Sequence, residues 1–94
     1  MEETVRYFAK ASGRVQGVGF RMYVRENASK LGIRGWVMNM SDGTVDMEVQ
    51  GPADKVDKLF EIIQKGNYFI KVTEFHMEKQ NPVLPPESGF QIRY

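Results

Sequence analysis

The N-terminal third of the chain contains the stretch Ser12-Gly13-Arg14-Val15-Gln16-Gly17-Val18-Gly19-Phe20-Arg21, which joins a strand-like segment to a helical one. The residues before it alternate between apolar and polar side chains, whereas apolar residues recur at helical spacing from Phe20 onward. Glycines tolerate the backbone angles of such a turn and let several N–H groups converge on one point. The start of the helix adds unpaired N–H groups and a partial positive charge. This stretch therefore predicts a site for phosphate or a similar oxyanion.

One positively charged side chain, Arg21, strengthens the prediction of an anion site. It falls in the first turn of the predicted helix, at the mouth of the loop. Its planar guanidinium suits oxyanions, whereas the helix dipole mildly disfavours an unpaired cation at this position. A bound anion explains the arginine better than solvent exposure does. The alternative is a tight turn that needs glycine for steric reasons alone, because the run matches neither G-x-x-x-x-G-K-[ST] nor G-x-G-x-x-G.

The periodicity of the sequence predicts two helices and a central hairpin. Residues 4–12 alternate as a strand, and the helix that starts near Phe20 ends at a C-terminal cap, Gly32. Residues 33–40 and 44–50 predict a hairpin around the turn Ser41-Asp42-Gly43. A second helix opens after Gly51-Pro52 and ends at Gly66-Asn67. Its apolar stripe consists of Val56, Leu59, Phe60 and Ile63.

The C-terminal third predicts two more strands separated by a loop. The apolar phase shifts within the fourth strand, residues 69–78, which predicts a bulge or bend. Residues 81–89 contain three prolines and predict a loop, followed by a short edge strand over residues 90–94. The order β-α-β-β-α-β is typical of a ferredoxin-like α+β sandwich, in which two helices cover one face of an antiparallel sheet. We expect residues 1–94 to form a single domain.

The charges are distributed unevenly, although the net charge is only +1. Residues 1–40 carry seven Lys and Arg against three Asp and Glu, whereas residues 41–94 carry six against nine. Five of the six arginines lie in the first block, which favours a small anionic ligand near the loop over the broad basic face of a nucleic-acid binder. The chain has no cysteine and no apolar run of membrane-spanning length. We therefore expect a cytoplasmic protein without membrane or nucleic-acid partners.

A second candidate residue, Asn39, lies near the end of the second predicted strand, within Trp36-Val37-Met38-Asn39-Met40. An asparagine there is ordinarily a turn former or a side-chain cap. Contact between Asn39 and the glycine-rich loop is a tertiary prediction, since the first strand of this fold pairs with the third. Trp36 and the other aromatic residues are predicted to build the core, with base stacking on the sheet face as the alternative. The one histidine, His76, is predicted to be a surface or structural residue. No His or carboxylate spacing predicts a metal site.

Three segments of the chain resemble the acylphosphatase family. They are Gly13-Arg14-Val15-Gln16-Gly17-Val18-Gly19-Phe20-Arg21, then Gly35-Trp36-Val37-Met38-Asn39 with Ser41-Asp42-Gly43-Thr44-Val45, and Phe90-Gln91-Ile92-Arg93-Tyr94. Their order, their spacing and the total length all fit that family. The resemblance implies a small, monomeric enzyme that hydrolyses acyl phosphates to a carboxylate and inorganic phosphate.

The resemblance also assigns roles to individual residues. Arg21 would bind the phosphate and Asn39 would orient the attacking water. Backbone N–H groups would cradle the phosphoryl oxygens along the loop formed by Val15, Gln16, Gly17, Val18, Gly19 and Phe20. The family needs no metal, no cofactor and no covalent intermediate. Loose transition states in phosphoryl transfer demand mainly positioning and charge stabilisation. One arginine, one asparagine and a set of backbone N–H donors are therefore chemically sufficient.

Two other functions remain open from the sequence. A non-catalytic ferredoxin-like module that binds a phosphate-bearing ligand or RNA would need the arginines and aromatic residues but not Asn39. A relative of the acylphosphatase-like domain found at the start of larger carbamoyl-transfer proteins is a third hypothesis, although the compact length argues against a fragment.

Overall fold

The computed structural model describes residues 3–94. The elements follow the order β-α-β-β-α-β-β. They are β1 (Thr4–Arg14), α1 (Phe20–Lys30), β2 (Arg34–Asn39), β3 (Val45–Pro52), α2 (Ala53–Lys65), β4 (Lys71–Gln80) and β5 (Phe90–Arg93). The predicted ferredoxin-like α+β arrangement is confirmed, and both helices start and end within about two residues of their predicted positions.

The five strands form one sheet in the order β4-β1-β3-β2-β5. β1 pairs with β3 and with β4, and β2 pairs with β3, all antiparallel. The expectation of a wholly antiparallel sheet is wrong in one place, because the last strand, β5, runs parallel to β2. The long loop over residues 81–89 carries the chain back across the sheet, which lets β5 enter at the edge in the same direction as β2. The predicted edge position of this strand is confirmed.

One face of the sheet is covered by the helices. α1 packs against β2 and β5, and α2 against β3 and β4. Because side chains alternate along a strand, every second residue of β1 and β3 points into this core. The buried helix residues are Phe20, Val24 and Ala28 on α1, and the predicted stripe Val56, Leu59, Phe60 and Ile63 on α2.

The predicted irregularity of the fourth strand is a bulge. In the β1–β4 ladder Ser12 lies opposite Glu74, but Gly13 lies opposite Val72. Thr73 is therefore the extra residue, and it shifts the parity of the strand on either side. The strand starts later than predicted, because Asn67 Oδ1 accepts hydrogen bonds from the N–H groups of Phe69 (2.9 Å) and Ile70 (2.8 Å) and holds them in a turn.

Within the part of the chain that the structure describes, no helix covers the other face of the sheet. A buried arginine, Arg6, donates there to Glu48 (2.9 Å) and, through two nitrogens, to both carboxylate oxygens of Glu87 (3.0 and 2.7 Å). These bonds fasten the loop over residues 81–89 to the sheet. Trp36 lies on this face as well, half-buried, with the Arg93 guanidinium 5.0 Å from its ring centroid. The prediction that Trp36 belongs to the core is therefore wrong, since it alternates with the buried Val37.

Candidate functional site

A cavity of about 210 Å³ lies at the end of the sheet where β1 leads into α1. Arg21 and Asn39 both line it, although they come from different elements, and they are joined there by four of the six predicted loop residues: Val15, Gly17, Gly19 and Phe20. Asn39 is the last residue of β2 and shares a face with the buried Val37, which is the face against which α1 packs. The fold thus brings together two residues whose proximity the sequence could not establish.

The loop takes the backbone shape that its glycines permit. Gly17 and Gly19 have φ angles of 74° and 77°, in the left-handed region that favours glycine. Gly19 is the residue before α1, and no side chain within residues 3–94 caps this helix. The first turn of α1 also contains no acidic residue. The N–H groups of the first helical turn therefore remain available to an anion, as does the positive end of the helix dipole.

Gln16 and Val18, the other two predicted loop residues, do not line the cavity with their side chains. The Gln16 amide donates to the carbonyl oxygens of Met40 and Thr44, both at 2.8 Å, and so fastens the loop to the β2–β3 turn. Val18 is half-buried and packs against the core. Within the turn, Thr44 donates its hydroxyl and its N–H to Asp42 (2.6 and 3.0 Å), and these bonds lower the pKa of the Asp42 carboxyl. The turn that follows Asn39 therefore holds the loop in place through hydrogen bonds.

The Arg21 side chain contacts the last residue of β5, Arg93, and the residue after it, Tyr94. Its guanidinium lies 4.8 Å from the ring centroid of Tyr94, and it donates a long hydrogen bond of 3.5 Å to the Arg93 carbonyl. Among residues 3–94 no carboxylate forms an ion pair with Arg21. Since oxyanions are the preferred partners of a guanidinium, its hydrogen-bonding capacity remains largely unused.

Asn39, which lines the same cavity, carries an unsatisfied acceptor. Its side-chain oxygen, Oδ1, is buried, and no donor within residues 3–94 lies in hydrogen-bonding range of it. Buried polar atoms are almost always paired, because an unpaired one costs about 1–3 kcal/mol. An acceptor of this kind suits a water molecule, which donates two hydrogen bonds.

Three further residues, Met22, Ile92 and Tyr94, complete the cavity wall and were not predicted as site residues. Ile92 reaches the site because β5 pairs parallel with β2, where Ile92 lies opposite Val37. No local pattern in the sequence specifies that pairing. The resemblance of residues 90–94 to a known family was the one available signal, and it gave these residues no role.

The other features considered from the sequence lie elsewhere. Arg6 forms ion pairs with carboxylates on the open face of the sheet. It therefore does not belong to the candidate site, although it is one of the five arginines in residues 1–40. His76 is exposed and lies 3.3 Å from Glu78, as expected of a surface residue. Within residues 3–94 there is no group of three His, Asp or Glu side chains placed to hold a metal ion. None of the helices described is long and apolar enough to cross a membrane.

Comparison with known proteins identifies the family. The chain matches the protein family described as Acylphosphatase over residues 7–92. The chain belongs to the acylphosphatase family. The acylphosphatase of Geobacillus thermodenitrificans is 48% identical over 82 residues, which cover 87% of this chain and 86% of that one. Acylphosphatase-2 of Gallus gallus is 49% identical over 85 residues, covering 87% of this chain and 82% of its own.

A solved structure agrees with the sequence relatives. The crystal structure of acylphosphatase from Bacillus subtilis matches with a TM-score of 0.90 at 34% identity, and the match covers 96% of this chain and 99% of that one. The resemblance to acylphosphatases that was based on three segments is thereby confirmed. The cavity between the glycine-rich loop and Asn39 is the candidate active site of this acylphosphatase-family chain.

Proposed function

We propose that the cavity lined by Arg21 and Asn39 is where this chain performs the reaction of its family. The chain is an acylphosphatase: it hydrolyses acyl phosphates to a carboxylate and inorganic phosphate. The observation that carries the assignment of the site is the juxtaposition of an arginine and a buried amide oxygen that find, among residues 3–94, no carboxylate partner and no donor respectively. One suits the substrate phosphate and the other suits the attacking water.

In the proposed reaction, Arg21 and the N–H groups of the loop over residues 15–20 hold the phosphoryl oxygens. Charge builds up on these oxygens during transfer, and donors already fixed in place stabilise it without reorganisation. The positive φ angles of Gly17 and Gly19 shape this cradle. The Gln16 side chain holds it against the β2–β3 turn.

Asn39 is proposed to orient the water. Its side-chain oxygen accepts one hydrogen bond from the water and so aims a lone pair of the water oxygen at phosphorus. The new bond forms between water oxygen and phosphorus while the bond from phosphorus to the carboxylate oxygen breaks. The water proton passes to a phosphoryl oxygen, and the carboxylate leaves without needing a general acid because it is a weak base. Positioning of this kind contributes through effective concentration and not through base strength.

The experiment that tests this proposal is hydrolysis of benzoyl phosphate, followed by loss of its ultraviolet absorbance, in the presence of EDTA. We expect rapid turnover by the wild type and none above the spontaneous rate by Arg21→Gln. Circular dichroism of the variant checks that the fold is retained. Rapid turnover by Arg21→Gln would place the site elsewhere, and an inactive but folded wild type would favour the non-catalytic binding module.

Under the same proposal, residues 1–94 act as one acylphosphatase-like domain that is monomeric, cytoplasmic and without a nucleic-acid partner. The family match over residues 7–92 supports a single functional unit. A net charge of +1 gives little long-range attraction to a polyanion. Sedimentation velocity should give one species at the mass of a single chain, and a concentration-dependent dimer would contradict the monomer.

A further inference from the structure

A second cavity, of about 330 Å³, lies where β1 ends and β4 begins. Its lining consists of Arg14, Tyr68, Phe69, Lys71 and Thr73, and it shares no lining residue with the active-site cavity. Arg14 belongs to the glycine-rich stretch, yet the proposed chemistry of that stretch does not use it.

Two positive charges face each other across this cavity. Arg14 and Lys71 are directly opposite partners in the antiparallel β1–β4 ladder. Like charges in that arrangement destabilise a strand pair. Among residues 3–94 the carboxylates pair with Arg6, Lys10 and His76, and none pairs with Arg14 or Lys71. An anion bound between the two cations would convert this repulsion into attraction.

Two aromatic side chains stand exposed beside the cations. Tyr68 is 92% exposed and Phe69 is 61% exposed. Their ring centroids are 5.1 Å apart and the rings are nearly perpendicular, at 89°. Burial of large apolar side chains stabilises a folded protein, and this arrangement forgoes that stabilisation. The exposed surface of the Tyr68 ring is open to stacking by another planar group.

The segment that presents these rings is held firmly in place. Asn67 Oδ1 accepts from the N–H groups of both Phe69 and Ile70, and the Tyr23 hydroxyl donates to the Gly66 carbonyl at 3.3 Å. Gly66 has a φ of +65°, and a Cβ at that position would lie 2.5 Å from the Ile70 carbonyl oxygen. The exposure of the two rings is thus imposed by a fixed turn.

The strands beneath the cavity also meet in an unusually close approach. Gly13 has a φ of +117°, and a Cβ there would lie 2.3 Å from the Lys71 carbonyl oxygen and 2.8 Å from the Thr73 nitrogen. Thr73 is the bulged residue of β4, and bulges re-aim side chains next to binding sites. Its hydroxyl group adds a hydrogen-bond donor to the cavity.

We propose that this cavity binds a small ligand that combines an aromatic ring with an anionic group, either a phosphate or a carboxylate. The anionic group lies between Arg14 and Lys71 and accepts a hydrogen bond from Thr73, while the ring stacks on Tyr68. Two cations are enough to bind one anionic group. A nucleic-acid strand needs a basic groove that follows successive phosphates, and recognition of anionic lipid uses larger clusters of cations, about four to eight.

The first test is a titration followed by two-dimensional NMR of backbone amides, in the Arg21→Gln protein so that the active site does not compete. The probes are AMP for a phosphate, benzoate for a carboxylate, and adenosine and inorganic phosphate as ligands that carry one feature each. We expect AMP or benzoate to shift the amides of Phe69, Lys71 and Thr73 saturably. Adenosine and phosphate alone should bind at least about tenfold more weakly, because each forgoes either the charge-assisted bonds or the stacking. Which of AMP and benzoate binds identifies the class of ligand, a purine phosphate or an aromatic carboxylate.

The second test uses variants with matched controls. Tyr68→Ser and Lys71→Gln should each weaken binding of the active probe about tenfold. Leu84→Ser removes an equally exposed apolar side chain, 91% exposed, from another surface, and Lys58→Gln removes an exposed charge from α2; both should bind as the parent does. Hydrolysis of benzoyl phosphate by Tyr68→Ser in the wild-type background should be unchanged, which separates this cavity from the active site.

The proposal is overturned if neither AMP nor benzoate shifts these amides, or if the controls lose as much affinity as Tyr68→Ser and Lys71→Gln. It is also overturned if vesicles containing phosphatidylserine retain the protein in a Tyr68-dependent way while both small probes leave the amides unmoved.

Discussion

Two arginines, Arg6 near the start of β1 and Arg21 in the first turn of α1, show how surroundings decide what a charged side chain does. Arg6 is 3% exposed and donates to Glu48, Gln50 and both oxygens of Glu87. The hydrogen bond to Glu87 is the main reason that the pKa of Arg6 is raised and that of Glu87 is lowered. Arg21 is half-buried, and the polar and aromatic partners it meets among residues 3–94 are a carbonyl oxygen at 3.5 Å and an aromatic ring.

The difference lies in whether each charge is already neutralised. A buried cation without partners would be expensive, and the carboxylates around Arg6 remove that cost by tying residues 81–89 to the sheet. Arg21 stands at the open start of a helix, where its own charge is mildly unfavourable until an anion arrives. Arg6 therefore contributes to stability, whereas Arg21 keeps unused hydrogen-bonding capacity for the phosphate that we propose it binds.

The largest expected effect is that of Arg21→Gln on catalysis. Removal of the guanidinium should lower kcat/KM for benzoyl phosphate by about 10³-fold or more, in line with the contribution of arginine to phosphoryl transfer elsewhere. The free energy of unfolding in urea should stay close to that of the wild type. Arg25→Gln, one helical turn further along α1 and outside the cavity lining, is the matched control and should remain active. Equal losses in both variants would contradict a special role for Arg21.

The opposite pattern is expected for Arg6→Met. This change leaves Glu87 and Glu48 without their buried partner, and breaking a buried ion pair costs about 3 kcal/mol. Urea unfolding should show that loss, while kcat on benzoyl phosphate should be nearly unchanged under conditions where the protein is folded. A variant as stable as the wild type would show that the buried network contributes nothing.

Asn39→Ala separates the two halves of the proposed chemistry. Without the side-chain oxygen the water is no longer oriented, so kcat should fall by about 10²-fold, while the KM for benzoyl phosphate should change little because the cradle is intact. Steady-state kinetics measures both constants. A change in KM alone would show that Asn39 binds substrate and does not position water.

Acid should weaken the network around Arg6. The lowered pKa of Glu87 means that its charged form is favoured by folding, so its stabilising effect is complete above the ordinary glutamate pKa, about 4.3. It is lost as the pH falls through the lowered native value. Glu87→Gln should be less stable than the wild type by about 1.5 kcal/mol at pH 7. Urea unfolding should show the two proteins converging as the pH is reduced below about 4, and a constant difference would contradict this origin.

The smallest effect is expected for Gly17→Ala. Nothing lies within 4 Å of a Cβ at Gly17, so the change adds only the strain of a φ of +74°, about 1 kcal/mol. Because that strain falls on the phosphate cradle, KM should rise roughly fivefold. Gly32→Ala, with a φ of +71° and equal space, should cost the same stability without affecting KM. Thermal unfolding and kinetics on both variants distinguish strain at the site from strain in general.

Much of the fold was predictable because its signals are local. The hairpin turn, the stripe of α2 and the parity shift at the Thr73 bulge are each encoded within a few residues. Trp36 was misplaced for a related reason: its size suggests the core, but alternation with Val37 decides its face. The parallel pairing of β5 depends on residues 81–89 crossing the open face, held by Arg6 and Glu87, and nothing local specifies that contact.

The candidate site also combines residues that local patterns predict with residues that only tertiary contacts bring in. The loop and Arg21 could be proposed from the glycine spacing and the helix start. Asn39 has an ordinary local explanation as a turn former, and only the β2–β3 register together with the packing of α1 brings it to Arg21. The family resemblance placed Asn39 and Arg21 in one site, which physical reasoning from this sequence alone could not do. Met22, Ile92 and Tyr94 were missed because their place on the cavity wall depends on tertiary contacts and their residue types carry no chemical signal.

The most direct test of the account is the affinity of inorganic phosphate for the wild type, Arg21→Gln and Asn39→Ala, measured by isothermal titration calorimetry. Phosphate occupies the cradle without needing an oriented water. We expect Asn39→Ala to bind phosphate as the wild type does, and Arg21→Gln to bind at least about tenfold more weakly, since it loses a charge-assisted hydrogen bond. Wild-type affinity in Arg21→Gln would contradict the assignment of Arg21 as the phosphate-binding residue.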